Sequence, residues 1–180
     1  DIRTYETSDT TIISAIFNTH INDYSAKLDF DFAPNSSNLV KFGANYTYHT
    51  FNPGATALEF DFGQTNPIDT VAGSPSLNSH EAYVYLEDEI EFSDRFKVNM
   101  GLHGASLFVQ DTSYFSLQPR IALNYRLPGD FALKLSYAEM TQFVNLLTNE
   151  GVGLPTDLWV PSTKNVTPQT SKQIAAGIAK

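Results

Sequence analysis

Four acids crowd into Glu87-Asp88-Glu89-Ile90-Glu91. Carboxylates this close could hold a metal ion or divide acid and base roles between them. Spacing argues for a blander use. In an extended chain alternate residues share a face, so Glu87, Glu89 and Glu91 form one row with steps of roughly 6–7 Å. That suits a hydrated wall better than joint work on one atom. Asp88 falls on the other parity, between Leu86 and Ile90. An acid facing hydrocarbon there costs up to a few kcal/mol, so a bulge or a local partner is expected.

The four histidines, His20, His49, His80 and His103, are scattered. His80-Glu81 is not followed by a histidine at 84, so the helical zinc-protease motif is absent. His49 and His103 are the pair that alternation could bring to one face, and no metal site is assigned to them. With no cysteine, disulfide scaffolds, cysteine zinc sites, iron–sulfur ligation and thiol catalysis are excluded. No phosphate-binding glycine loop and no Gly-x-Ser-x-Gly elbow occurs. No catalytic residue, cofactor or enzymatic activity is assigned. The one tryptophan, Trp159, stands near Asp157 in a long link. An aromatic ring beside a carboxylate suits ligand capture by stacking and hydrogen bonding, and it equally suits pinning the loop in place.

Composition narrows the partners. Twenty Asp and Glu against eleven Lys and Arg give a formal charge of −9, which argues against nucleic acid and against polybasic attachment to anionic lipid. Charged residues are 17%, below the roughly 25% of an average soluble domain. No run approaches the roughly 18 apolar residues of a transmembrane helix. A soluble β protein and a membrane β-barrel both remain.

The elements carrying these residues are strands, because period-two alternation recurs along the chain. Tyr24, Ala26, Leu28, Phe30 and Phe32 oppose Asp23, Ser25, Lys27, Asp29 and Asp31; Val40, Phe42, Ala44, Tyr46 and Tyr48 oppose Lys41, Gly43, Asn45, Thr47 and His49. Similar patterns predict strands at about 23–33, 39–51, 80–92, 96–108, 115–127, 131–143 and 171–180. Residues 1–9 read as the end of an earlier strand and 10–22 as mostly connection. Links near 33–38, 93–95 and 128–130 are tight turns; those near 52–79, 109–114 and 144–170 read as long. Short links on one side and long on the other are the habit of outer-membrane barrels, as are strands longer than the usual five or six residues. Aromatics fall into two rows: Phe30, Phe32, Phe92, Phe96, Tyr125 and Phe131 by the tight turns, Tyr46, Tyr48, Phe51, Phe108, Phe115 and Phe143 by the long links. A soluble up-and-down barrel or sandwich would use the same alternation; loop asymmetry and strand length favour the membrane.

The run Tyr83-Val84-Tyr85-Leu86-Glu87-Asp88-Glu89-Ile90-Glu91-Phe92-Ser93-Asp94-Arg95-Phe96-Lys97-Val98-Asn99-Met100-Gly101-Leu102 resembles a barrel hairpin of TonB-dependent outer-membrane receptors. Ser116-Leu117-Gln118-Pro119-Arg120 resembles the strand that follows it. Ser136-Tyr137-Ala138-Glu139-Met140 and Leu154-Pro155-Thr156-Asp157-Leu158-Trp159-Val160-Pro161 resemble the nutrient-importing branch, as does Lys41-Phe42-Gly43 through His49-Thr50-Phe51-Asn52-Pro53-Gly54. The departure is His103-Gly104, where Arg-Tyr is usual. The resemblance covers most of 23–180 and implies an all-β, antiparallel up-and-down transmembrane barrel. About seven or eight of roughly 22 strands would lie here, with the plug domain outside these residues. It also implies a bacterial outer-membrane location, energy-dependent uptake of a small nutrient, and a TonB-type energy-coupling partner acting through the plug. A surface lipoprotein is a further candidate partner. On this reading Lys41, Asn45, His49, Glu87, Glu89, Arg120 and Asn124 line the lumen, the opposite parity faces the lipid bilayer, and Asp157 and Trp159 help to bind ligand. The alternatives are a self-contained small outer-membrane barrel, adhesive or enzymatic, and a soluble ligand-binding barrel.

Overall fold

The computed structural model describes residues 2–8, 11–61, 68–73, 75–147 and 158–180, and they contain no helix. The strands are β1 (Ile2–Ser8), β2 (Thr11–Asn35), β3 (Asn38–Asp61), β4 (Ile68–Gly73), β5 (Leu77–Ser93), β6 (Phe96–Val109), β7 (Thr112–Arg126), β8 (Ala132–Gln142), β9 (Val144–Leu147), β10 (Leu158–Pro161) and β11 (Gln169–Ala179). One antiparallel sheet runs β1-β2-β3-β5-β6-β7-β8-β11, with β4 paired to the far end of β3; β9 and β10 form a separate two-stranded sheet. Chain neighbours are sheet neighbours throughout the main path, which is the up-and-down order that alternation predicts. The described sheet is open rather than closed on itself.

Local chemistry sets the turns at one end. The Asn35 side chain accepts from the Ser37 amide at 2.8 Å, and the Ser93 hydroxyl accepts from the Phe96 amide at 3.2 Å. In the β7–β8 turn, Gly129 and Asp130 take φ of 83° and 63°, a region open to glycine and tolerated by aspartate.

Three expectations about the links need correction. Residues 11–22 belong to β2, which pairs with β1 through Ile2↔Phe17 and with the outer part of β3 through Phe17↔Thr56. Their apolar residues come in adjacent pairs rather than alternating, and the register shifts between Asn18 and His20, so the period-two signal is lost while the ladder continues. The expected link at 109–114 is a tight turn at Gln110-Asp111 between β6 and β7, with Gln110 at φ 48°. Likewise 52–79 is largely strand, the end of β3 returning as β4.

The sheet has two unlike faces. On one stand Tyr24, Leu28, Phe30, Phe42, Tyr46, Val84, Leu86, Leu102, Phe115, Leu117 and Ile121, all exposed, with Phe115 at 77% and Tyr24 at 70%. Each such side chain forgoes about 1.5–3 kcal/mol if left in water, and a patch of this extent needs an apolar cover. Near the tight turns the rings pack on one another: Phe30 stacks on Phe42 at 5.2 Å, and Phe96 lies 5.6 Å from Phe92 and 6.2 Å from Tyr125. Asp88 has the expected partner and no bulge: Asn38 Nδ2 donates to its Oδ2 at 2.9 Å, in unbroken register.

Two aromatics leave the expected outer row. Phe51 and Phe143 are 1% and 3% exposed, and Phe143 packs against Ala105, Leu107 and Val109. They belong to a small core on the opposite face, where that face turns apolar towards the β6–β7 turn.

Candidate functional site

Register places the polar residues in rows running across the strands. One row is Asp31, Lys41, Glu87, Gly101 and Arg120; the next is Asp29, Gly43, Tyr85, His103 and Gln118; the next Lys27, Asn45, Tyr83, Ala105 and Ser116; and a further one Asp23, His49, Ser79 and Val109. Thus Lys41, Asn45, His49, Glu87 and Arg120 lie on one face. Glu89, paired to Asn99, and Asn124, paired to Lys97, continue it towards the tight turns.

Charges on this face are largely paired between neighbours. Lys27 Nζ lies 3.0 Å from Asp29, Lys41 Nζ 3.9 Å from Glu89, and His103 Nε2 2.9 Å from Glu87; Lys97 pairs with Glu91. Tyr85 reaches across the whole width of β3 to donate to Asp29 at 2.5 Å. The glycine between them permits it: a Cβ at Gly43 would lie 2.7 Å from the Tyr85 ring and 2.5 Å from the Leu28 carbonyl. Ser25, Asn45 and Thr47 form a hydroxyl–amide chain with steps of 3.0–3.2 Å. Between these groups lies a cleft of about 470 Å³ lined by Lys27, Lys41, Tyr85, His103, Gln118 and Arg120. The Arg120 Nε is buried without a hydrogen-bond acceptor. Such a face is hydrated, mixed in charge and studded with donors and acceptors. It can pass or hold a polar solute.

Above the cleft β9 and β10 lie back over the face. The β7–β8 ladder ends at Arg120↔Ala138, next to Pro119, which has no amide to offer a further partner. Beyond that point β8 continues on β11 alone. Phe143 turns into the apolar core, Ser162 donates its amide to the Phe143 carbonyl at 2.7 Å, and Asn145 Nδ2 donates to Ser162 Oγ at 3.1 Å. Tyr114 donates to the Thr163 carbonyl at 2.8 Å. β10 then packs against β3, four strands away from β8 in the sheet, so the hairpin spans the face.

Trp159 sits in this hairpin opposite Leu146 and is 44% exposed. Its cross-strand partner Leu146 is exposed too, so the two form an apolar pair open to the surroundings on one side of the hairpin. Asp157 lies outside the described residues. His49 and His103 do not meet: His103 is bound to Glu87 and stacked on Tyr85 at 5.1 Å, while His49 lies 2.7 Å from Asp23. Among the described residues no three His, Asp or Glu side chains converge as a metal-binding group.

Sequence reasoning missed the Tyr85–Asp29 bridge and the docking residues Phe143, Asn145 and Ser162. A signal for the docking was present: Ala105, Leu107 and Val109 are apolar on the parity of Asn99 and His103, so the end of β6 is apolar on both faces.

Comparison with known proteins adds one finding. A family model described as TonB dependent receptor-like, beta-barrel, matches residues 2–179. No curated protein and no solved structure matches the chain.

Proposed function

The chain belongs to the TonB-dependent receptor-like β-barrel family, and on that footing we propose that it forms part of the wall of a bacterial outer-membrane receptor importing a scarce small nutrient. The family implies a receptor or transporter in the outer membrane rather than an enzyme. The observation carrying the reading is the division of one sheet into an exposed apolar face and a polar one. The first matches a hydrocarbon belt and the second a lumen wall. Lys41, Asn45, His49, Glu87, Glu89, Arg120 and Asn124 line the lumen in this reading, and the ends with the β6–β7 turn and the β9–β10 hairpin face outside.

The ligand is captured at the hairpin, with Trp159 as its aromatic platform and Asp157 as a hydrogen-bond acceptor. Energy comes from a TonB-type partner through the plug, and a surface lipoprotein can deliver the ligand. The test compares how cells deplete a defined medium. A strain lacking the receptor and a strain lacking the coupling protein should both leave the same solute unconsumed. Full consumption by both strains overturns the transport reading.

A further inference from the structure

Arg120 stands on the polar face between two small neighbours, Gly101 on β6 and Ala138 on β8. Neither can offer its guanidinium a side-chain acceptor. Among the described residues no carboxylate oxygen comes within 4.0 Å of it, and its Nε is buried without a hydrogen-bond partner. The acids nearby have other partners. Glu87 crosses over Gly101 but goes to His103 at 2.9 Å, Glu81 lies 3.4 Å from His49, and Asp29 takes Lys27 and Tyr85. Lys41, in the row of Arg120, holds Glu89 only loosely, at 3.9 Å. In a chain of formal charge −9, the inner end of the cleft thus carries an uncommitted positive charge. A charged donor left buried and unanswered is costly, so an acceptor from outside this wall has something to gain there.

Towards the hairpin the lining changes. Gln118, 6% exposed, lies one row outward from Arg120, and Tyr83 and Ala105 lie one row further. Phe143, packed on Ala105, closes that end. The cleft is cationic at one end and apolar at the other, and its volume of about 470 Å³ is that of a small-molecule site.

We propose that this cleft, within the lumen wall argued above, binds a small solute carrying a carboxylate on a compact aromatic or apolar body. The carboxylate accepts from the Arg120 guanidinium, whose planar fork matches it, and from the Gln118 amide, while Lys41 adds positive charge. The body rests against Tyr83, Ala105 and Phe143. The inference depends on the receptor reading for its setting and extends it by naming the class of solute.

The test uses the full-length receptor in detergent and fluorine NMR of 4-fluorobenzoate, with 4-fluorobenzamide as the uncharged counterpart and empty micelles as the blank. Wild type should bind the acid about tenfold or more tighter than the amide. Arg120→Gln should weaken the acid about 10–100-fold and bring the two probes level, whereas Arg120→Lys should keep part of the preference. Ala138→Glu sets a carboxylate directly across from Arg120 and should also abolish the preference, which Ala138→Gln should leave in place. Heat-modifiable gel migration identifies folded variants, and the Ala138 pair decides the matter if Arg120→Gln does not assemble. Equal binding of acid and amide by wild type overturns the proposal, and is the result expected if a carboxylate elsewhere in the receptor already fills the site. Wild-type preference for the acid in folded Arg120→Gln or Ala138→Glu overturns it too. Binding is read without transport, so the depletion experiment decides the receptor reading separately.

Discussion

Single residues fix this wall where two demands meet at one position. Gly43 must let Tyr85 pass over it to Asp29 while staying clear of the Leu28 carbonyl. Gly43→Ala should lower stability in lipid vesicles by about 1–3 kcal/mol, the usual cost of overpacking. Adding Tyr85→Ala should not restore it, because the backbone clash remains; full rescue in urea unfolding would contradict that account. Asp88 faces the apolar side with Asn38 as its donor. Asn38→Ala should therefore cost about 1–3 kcal/mol by leaving a charged acceptor unpaired, and the double variant with Asp88→Leu should recover most of it. An unchanged unfolding midpoint for Asn38→Ala would mean that water already serves Asp88. For Trp159→Ala, uptake at limiting ligand should fall several-fold with barrel assembly unchanged, since aromatic contacts contribute about 0.5–1.5 kcal/mol beyond area. Normal uptake by an assembled variant would leave Trp159 with a packing role only.

Elements were legible in proportion to the regularity of their environment. Where one face meets apolar cover and the other water, as along 23–32 and 40–49, alternation is unbroken and the strands follow from it. Thr11 to Asn18 were not legible, because Ile12-Ile13 and Ile16-Phe17 carry no period of two; β-branched residues were their remaining strand signal. The Gln110-Asp111 turn was hidden because it has neither glycine nor proline. Of the candidate site, the shared polar face could be read from parity. The docked hairpin could not, since Phe143, Asn145 and Ser162 meet only through contacts distant in sequence. The same topology orients the links. Epitope tags at Gly73 or between Gln110 and Asp111 should be reached by antibody on intact cells, and tags at Ser36 or Gly129 only after permeabilisation. The reverse pattern would invert the orientation.

At the scale of the whole molecule, the account rests on what covers the apolar face. A soluble protein would need a second layer of core against Tyr24, Leu28, Val84, Leu86 and Phe115, and none of the described residues supplies one. The small core that exists lies on the other face, under the hairpin. Membrane hydrocarbon provides the cover without further protein, and the polar rows then become the inner wall of the family's barrel. The most direct measurement is spin-label accessibility in the full-length protein reconstituted in lipid. Labels at Phe42, Tyr46 and Leu123 should be relaxed strongly by lipid-soluble oxygen and weakly by a water-soluble nickel chelate. Labels at Lys41, Asn45, Arg120 and Asn124 should be sheltered from oxygen. Equal oxygen accessibility for the two sets would contradict the assignment of one face to lipid and the other to the lumen.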